Sequence, residues 1–252
     1  GSGQDNVYKF DGVNVTLPLF GTLSADPASH DIAQVTAIKG GAKAVDFERA
    51  AGFSVDSVSK SGTSSYRGML SYQLQSNAMA ADLNSGSLSR YEQDRSWFTG
   101  NLGGPIIKNK LYFYGSYYRP EFSRDNASNV YGELPGYNST RDEGFLKFTA
   151  TPVNSLLVNV TWRESHTLST GDIFGSTTAS TAGTGNESWQ TIVTADGSWI
   201  INSKSFVSFK YTHFENPTQA RPDNVADVTP SLTPGTRLDI ANLDSIGRFT
   251  VP

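Results

Sequence analysis

From Ser64 onward, apolar and polar residues alternate with a period of two, the spacing of a β-strand whose successive side chains point to opposite faces. In Ser64 to Ser76, Tyr66, Leu70, Tyr72 and Leu74 share one face, and Arg67, Ser71, Gln73 and Gln75 share the other. Leu156, Val158, Val160 and Trp162 alternate with Leu157, Asn159, Thr161 and Arg163. Trp189, Val193, Ala195 and Trp199 alternate with Gln190, Thr194, Asp196 and Ser198, and Val207, Phe209 and Tyr211 alternate with Ser208, Lys210 and Thr212. Strands are predicted near residues 64–76, 95–107, 111–119, 143–150, 156–164, 188–201 and 205–215, about seven in all.

The links between these strands alternate in length. Residues 108–110, 151–155 and 202–204 are tight polar turns, whereas 77–94, 120–142 and 165–187 are long polar stretches. Short turns on one edge and long loops on the other are the arrangement of an outer-membrane β-barrel. Aromatic residues fall in two groups along the same axis: Tyr66 and Trp199 towards the short turns, and Tyr72, Tyr117, Trp162, Trp189 and Tyr211 towards the long loops. Two such belts are expected where strands cross a bilayer. A soluble β-sandwich also alternates, but three long loops gathered on one edge argue against it.

Residues 1–63 have another texture, with short apolar segments broken by Asp11-Gly12, Pro18, Pro27 and Gly40-Gly41. They predict a compact mixed α/β unit of short strands, with a short helix near Ser29 to Gln34 and a strand over Phe53 to Lys60. The domain division is therefore 1–63 and 64–252.

Composition narrows the picture further. Mean hydropathy is −0.36, and no run approaches the roughly 18 to 20 apolar residues of a membrane helix; a barrel strand, half polar by construction, is compatible with both facts. Residues Gly1 to Gln4 lack the succession of a signal peptide, so an exported protein is expected here in mature or truncated form. The chain has no cysteine and a net charge of −4 without a basic cluster, which leaves no thiolate metal site and no footprint for nucleic acid. His30, His166 and His213 lack metal-ligand spacing, Asp223 and Asp227 lack a calcium-loop pattern, and no nucleophile elbow or phosphate-binding glycine loop occurs. No enzymatic activity, cofactor or metal is expected.

The run Ile38 to Thr63 resembles the end of the plug domain of TonB-dependent outer-membrane receptors, in particular the Oar-like branch, through Gly40-Gly41, Phe47 to Arg49 and Lys60-Ser61-Gly62-Thr63. Asp11-Gly12-Val13-Asn14 is similar to an earlier plug motif, and Gly103-Gly104-Pro105-Ile106 with Phe113 to Tyr117 is similar to the second barrel hairpin. Ala50-Ala51-Gly52 departs from a usually more glycine-rich stretch, and neither an energy-coupling segment nor a carboxypeptidase-like extension is recognisable. The resemblance implies import of a scarce, bulky nutrient across a bacterial outer membrane. It also implies partnership with membrane lipid and with the periplasmic energy-coupling protein TonB. Such transporters close with about 22 strands, and an open sheet in lipid leaves backbone groups unpaired. Further strands, from the same protein or from other chains, are therefore expected. A structural or adhesive surface β-protein without transport is the alternative.

Inward-facing Arg67, Lys147, Arg163 and Lys210 are expected to contact the plug, with Asp46, Glu48 and Asp56 as acidic partners. Phe20 in the plug and the loop aromatics Tyr131 and Tyr137 are expected to meet the ligand. In the hairpin Asn101 to Tyr118, Ser116 points to an inward even face, which places Tyr112 and Tyr114 against the plug.

Overall fold

The computed structural model describes residues 6–17, 22–23, 28–39, 53–79, 92–172, 174, 180 and 183–223. Phe20, Asp46, Glu48 and the Gly40-Gly41 and Phe47 to Arg49 motifs lie outside the described residues.

Six short strands come first: β1 (Val7–Phe10), β2 (Val13–Asn14), β3 (Thr16–Leu17), β4 (Thr22–Leu23), β5 (Ile32–Lys39) and β6 (Phe53–Ser59). They form a four-stranded sheet in the order β2-β1-β6-β5 and a small β3-β4 pair. The turn between β1 and β2 needs positive φ at both Asp11 (49°) and Gly12 (69°), a conformation that Asx residues and glycine adopt at least cost. β1 runs parallel to β6 and antiparallel to β2.

Where a helix is expected near Ser29, the structure has one 3-10 turn, Ser29–Asp31, and then the strand β5. The alternating, β-branched sequence IAQVTAIK favours the ladder with β6 over a helix. Among the described residues the N-terminal unit is therefore all-β rather than mixed.

The second sheet is a meander of β7 (Arg67–Gln75), β8 (Gln93–Ile107), β9 (Leu111–Arg124), β10 (Tyr137–Ala150), β11 (Leu156–Thr170), β12 (Thr184–Asn202) and β13 (Ser205–Glu215), each antiparallel to the next. A last strand, β14 (Thr218–Pro222), pairs with the early part of β12 beyond the end of β13. The sheet is open: among the described residues β7 and β13 each have one unpaired edge.

The three tight turns fall where the sequence places them, but the strands reach further towards the long loops than the apolar alternation does. β9 continues to Arg124, β10 begins at Tyr137, β11 continues to Thr170 and β12 begins at Thr184. In these extensions both faces are polar or mixed, so the period-2 signal fades while the backbone ladder continues.

Register fixes the two faces of this sheet. Leu70, Tyr72, Phe98, Leu146, Phe148, Val160, Trp162, Val207 and Tyr211 lie on one face and are exposed, Leu70 at 81%. An apolar face without a protein partner is what strands present to lipid. Tyr114, Phe145, Lys147, Thr161, Arg163, Ile192 and Thr194 lie on the other face and are buried, because the N-terminal unit sits on it. Phe10, Val13 and Val15 of that unit form one apolar cluster with Tyr114, Phe145 and Ile192 of the large sheet.

The chain passes from one unit to the other through Lys60-Ser61-Gly62-Thr63, where Gly62 lies flat on the β8–β9 hairpin. A Cβ at this position would collide with the Phe113 carbonyl oxygen and come within 2.9 Å of that of Gly104. The family-like glycine is thus required by the close approach of two backbones.

Candidate functional site

The interface between the N-terminal unit and the large sheet is built around one acid. Asp31, at the end of the 3-10 turn, is fully buried. Tyr114 donates its phenolic hydrogen to Asp31 Oδ1 at 2.9 Å, and Ser116, two residues along the inward row of β9, donates to Oδ2 at 2.8 Å. Arg163 of β11 approaches the same carboxylate at 3.7 Å and pairs with Glu143 of β10 at 2.9 Å. Arg141 holds the other Glu143 oxygen at 3.0 Å.

Arg163 is only 1% exposed. Its contacts with the two acids are close ion pairs rather than aligned hydrogen bonds, since none of its guanidinium nitrogens makes one. The guanidinium instead packs against two neighbouring aromatic rings, with Cζ 4.5 Å from the Phe10 ring of the N-terminal unit and 5.4 Å from that of Phe145. Desolvating such a cation is costly, and it is offset only while both acids stay in place.

A second set of contacts holds the β1–β2 turn. Lys147 Nζ lies 3.5 Å from Asp11 Oδ1 and donates to Ser59 Oγ at 2.9 Å. Lys210 Nζ donates to the Asp11 carbonyl at 3.1 Å. Asp11 also accepts from the Ser59 amide at 2.9 Å, which ties the turn to β6. His30 stands beside Asp31 at 3.3 Å and packs on Tyr118 at 5.1 Å; burial holds its pKa below the ordinary histidine value, against the pull of the adjacent Asp31.

Of the residues the sequence singles out, Lys147, Arg163 and Lys210 come together under the N-terminal unit, while Arg67 is exposed at the start of β7 and lines a cavity with Lys60, Ser61 and Tyr114. Among the described residues Asp11 and Asp31 lie beside Lys147 and Arg163, and Asp56 accepts from the Gly12 amide at 3.2 Å and shares a cavity with Lys210, while Asp46 and Glu48 lie outside the described residues. Tyr131 lies exposed in the loop between β9 and β10. Tyr137 is the first residue of β10, its ring tilted against Phe122 at 5.6 Å and under Arg124 at 5.1 Å. Asp31 and Ser59 carry no local signal, because each gains its role from a partner far along the chain. Among the described residues, no group of three His, Asp or Glu side chains is placed to hold a metal ion, and no helix is long and apolar enough to cross a membrane.

Residues 58–136 match the family model described as an outer membrane beta barrel domain. With an apolar outward face, this places the chain in the bacterial outer membrane. Over 135 residues the chain is 26% identical to the TonB-dependent transporter Oar of Myxococcus xanthus, a match covering 49% of this chain and 12% of that protein. A solved structure of a mutant of the ferric enterobactin receptor PfeA from Pseudomonas aeruginosa is similar over 88% of this chain and 39% of that one, with 12% identity and a TM-score of 0.48. The chain thus corresponds to a minor part of the length of both.

Proposed function

We propose that residues 1–63 are a plug and that the chain is the plug and first wall of a TonB-dependent transporter, importing a scarce, bulky nutrient. The observation that carries this reading is the seating of the N-terminal unit on the inward face, with Asp31 receiving Tyr114, Ser116 and Arg163 from two strands of the wall. An acid buried in that way is held by polar contacts that can be exchanged for water, whereas a wholly apolar contact of the same area resists parting. The similarity to Oar supports the same reading. The ligand meets the plug and the loop-side aromatics, Phe20, Tyr131 and Tyr137 among them. No covalent chemistry is involved, and energy arrives through the periplasmic partner.

These 252 residues contain no cysteine, so a thiol introduced among them is labelled against a background of none in this part of the protein. Ser59→Cys, placed at the 2% exposed residue beneath Lys147, is labelled in cells producing the full-length protein with a maleimide that passes porins. Labelling is expected to rise in energised cells that have TonB and to stay low in cells without it. In planar bilayers, deletion of residues 1–63 is expected to convert an electrically silent protein into an open pore. Labelling indifferent to TonB, together with unchanged conductance, would overturn the reading.

A further inference from the structure

The two ends of the large sheet differ in charge. The tight turns 108–110, 151–155 and 202–204 contain Lys108, Lys110 and Lys204 and no acid, although the chain as a whole is acidic. All three lysines are exposed, and among the described residues none of them enters an ion pair. At the loop end the outward cations are neutralised instead. Arg119 is held by Glu121 at 2.9 Å and Asp142 at 3.3 Å, and Arg221 is held by Glu187 at 3.1 Å.

Register sets the height of the basic rim. On the outward face no charged side chain stands between Lys110 and Arg119 along β9, or between Lys204 and His213 along β13. Each of these spans fits the roughly 9–11 residues with which a strand crosses a bilayer. The lysines therefore lie where the apolar band ends on the turn side. Next to them on the outward face, Ile107, Trp199 and Val207 are exposed. Tyr66, which donates to the Pro105 carbonyl at 2.9 Å, is exposed as well. Tyrosine and tryptophan favour the level of the lipid headgroups.

The rim is also fixed in shape. Asn109, at a φ of 61°, sets the first two lysines on either side of one tight turn. The Thr151 amide donates to the Lys110 carbonyl at 2.7 Å, and the Ile200 amide donates to the Ser155 carbonyl at 2.8 Å, so the three turns are stitched into one line. The Lys204 amide donates to the Asn202 side chain at 2.9 Å, which closes the last turn.

We infer that this rim is a docking surface for the anionic phospholipid headgroups of the periplasmic leaflet, the side on which the short turns of an outer-membrane barrel lie. The inference rests on the outer-membrane placement and is independent of import. A lysine stem lies along apolar surface while its ammonium group reaches the phosphate level. Beside an anionic leaflet each such cation strengthens attachment by about fivefold. A lipid fits better than a soluble anion, because the same surface adjoins an exposed apolar belt that acyl chains cover.

The test uses the purified full-length protein in non-ionic detergent and two probes with the same acyl chains, dioleoyl phosphatidylglycerol and dioleoyl phosphatidylcholine, with bound lipid counted by native mass spectrometry. Phosphatidylglycerol is expected to bind several-fold more tightly, by a margin that shrinks as salt rises. Joint substitution Lys108→Gln, Lys110→Gln and Lys204→Gln is expected to abolish most of that preference. The corresponding three changes to Arg keep it, because the charge stays. Arg119→Gln with Arg221→Gln, at the loop end, leaves it unchanged, and heat-modifiable gel migration verifies that each variant is folded. Excess glycerol phosphate is expected not to displace the lipid. Equal binding of the two lipids, or a preference that survives loss of all three lysines, would overturn the inference. So would displacement by glycerol phosphate, which marks a soluble-anion site, or lysine-dependent sedimentation with purified peptidoglycan in place of a lipid preference, which marks a cell-wall contact. Labelling of Ser59→Cys that is indifferent to TonB would reject import and leave the rim as it stands.

Discussion

Asp31 and Arg163 meet 3.7 Å apart with side chains each 1% exposed, one from the N-terminal unit and one from the wall. Neither charge has water to fall back on. Asp31→Asn keeps an acceptor for Tyr114 but leaves Arg163 with Glu143 alone, and stranding part of a buried ion pair costs about 3–5 kcal/mol. Urea titration in detergent is expected to show a loss of that order. Replacing Arg163 with Met together with Asp31→Asn should recover much of it, since Glu143 keeps Arg141 as its partner and no uncompensated charge is then left buried.

Gly62→Ala tests the close approach of the linker to the β8–β9 hairpin. The added methyl meets the Phe113 and Gly104 carbonyl oxygens, which are backbone and cannot swing away. Overpacking of this kind costs about 1–3 kcal/mol. A lowered thermal midpoint is expected for Gly62→Ala, and little change for Gly132→Ser, where the surroundings are open, beyond the strain of its positive φ of 102°.

The two faces of the large sheet should respond oppositely to charge. Val160→Arg puts a guanidinium on the lipid face, at a cost of about 2–4 kcal/mol near the bilayer midplane. Ser208→Arg, exposed on the inward face of β13, should cost far less. Similar small effects at both positions, measured by folding into lipid vesicles, would contradict the assignment of faces.

His30 gives the interface a dependence on pH. Its burial disfavours the imidazolium, so the folded pKa lies below the unfolded value of about 6.5. The neutral ring's contribution is fully present above that unfolded value, and it is lost as pH falls towards the lowered folded one. Between about pH 7.5 and pH 5.5 the thermal midpoint is expected to fall more steeply in the wild type than in His30→Gln.

The strand meander was legible from alternation alone because each strand has one face in lipid and one against polar surroundings, the condition under which period two is strongest. Its limits were not legible: beyond the apolar band, residues such as Ser123, Ser139 and Thr167 no longer distinguish the faces, although the ladder continues through them. Lys147, Arg163 and Lys210 stood out as cations on otherwise inward rows. Their partners did not, since Asp31 and Ser59 become distinctive only when distant strands close over them. Tyr114 was legible from its neighbour Ser116, which set the parity of β9, and both share the Asp31 carboxylate.

The parallel pairing of β1 with β6 has a mechanical consequence. Val7 to Phe10 align with Ser54 to Ser57 in the same direction, and β6 continues into the linker fixed against the hairpin. A force drawn between the start of β1 and the end of β6 therefore runs along the ladder and loads its hydrogen bonds together. Had the two strands been antiparallel, the same pull would peel them one bond at a time. Shear of this kind makes the unit stiff under traction, so the weaker polar seat around Asp31 is where displacement under tension is expected to begin.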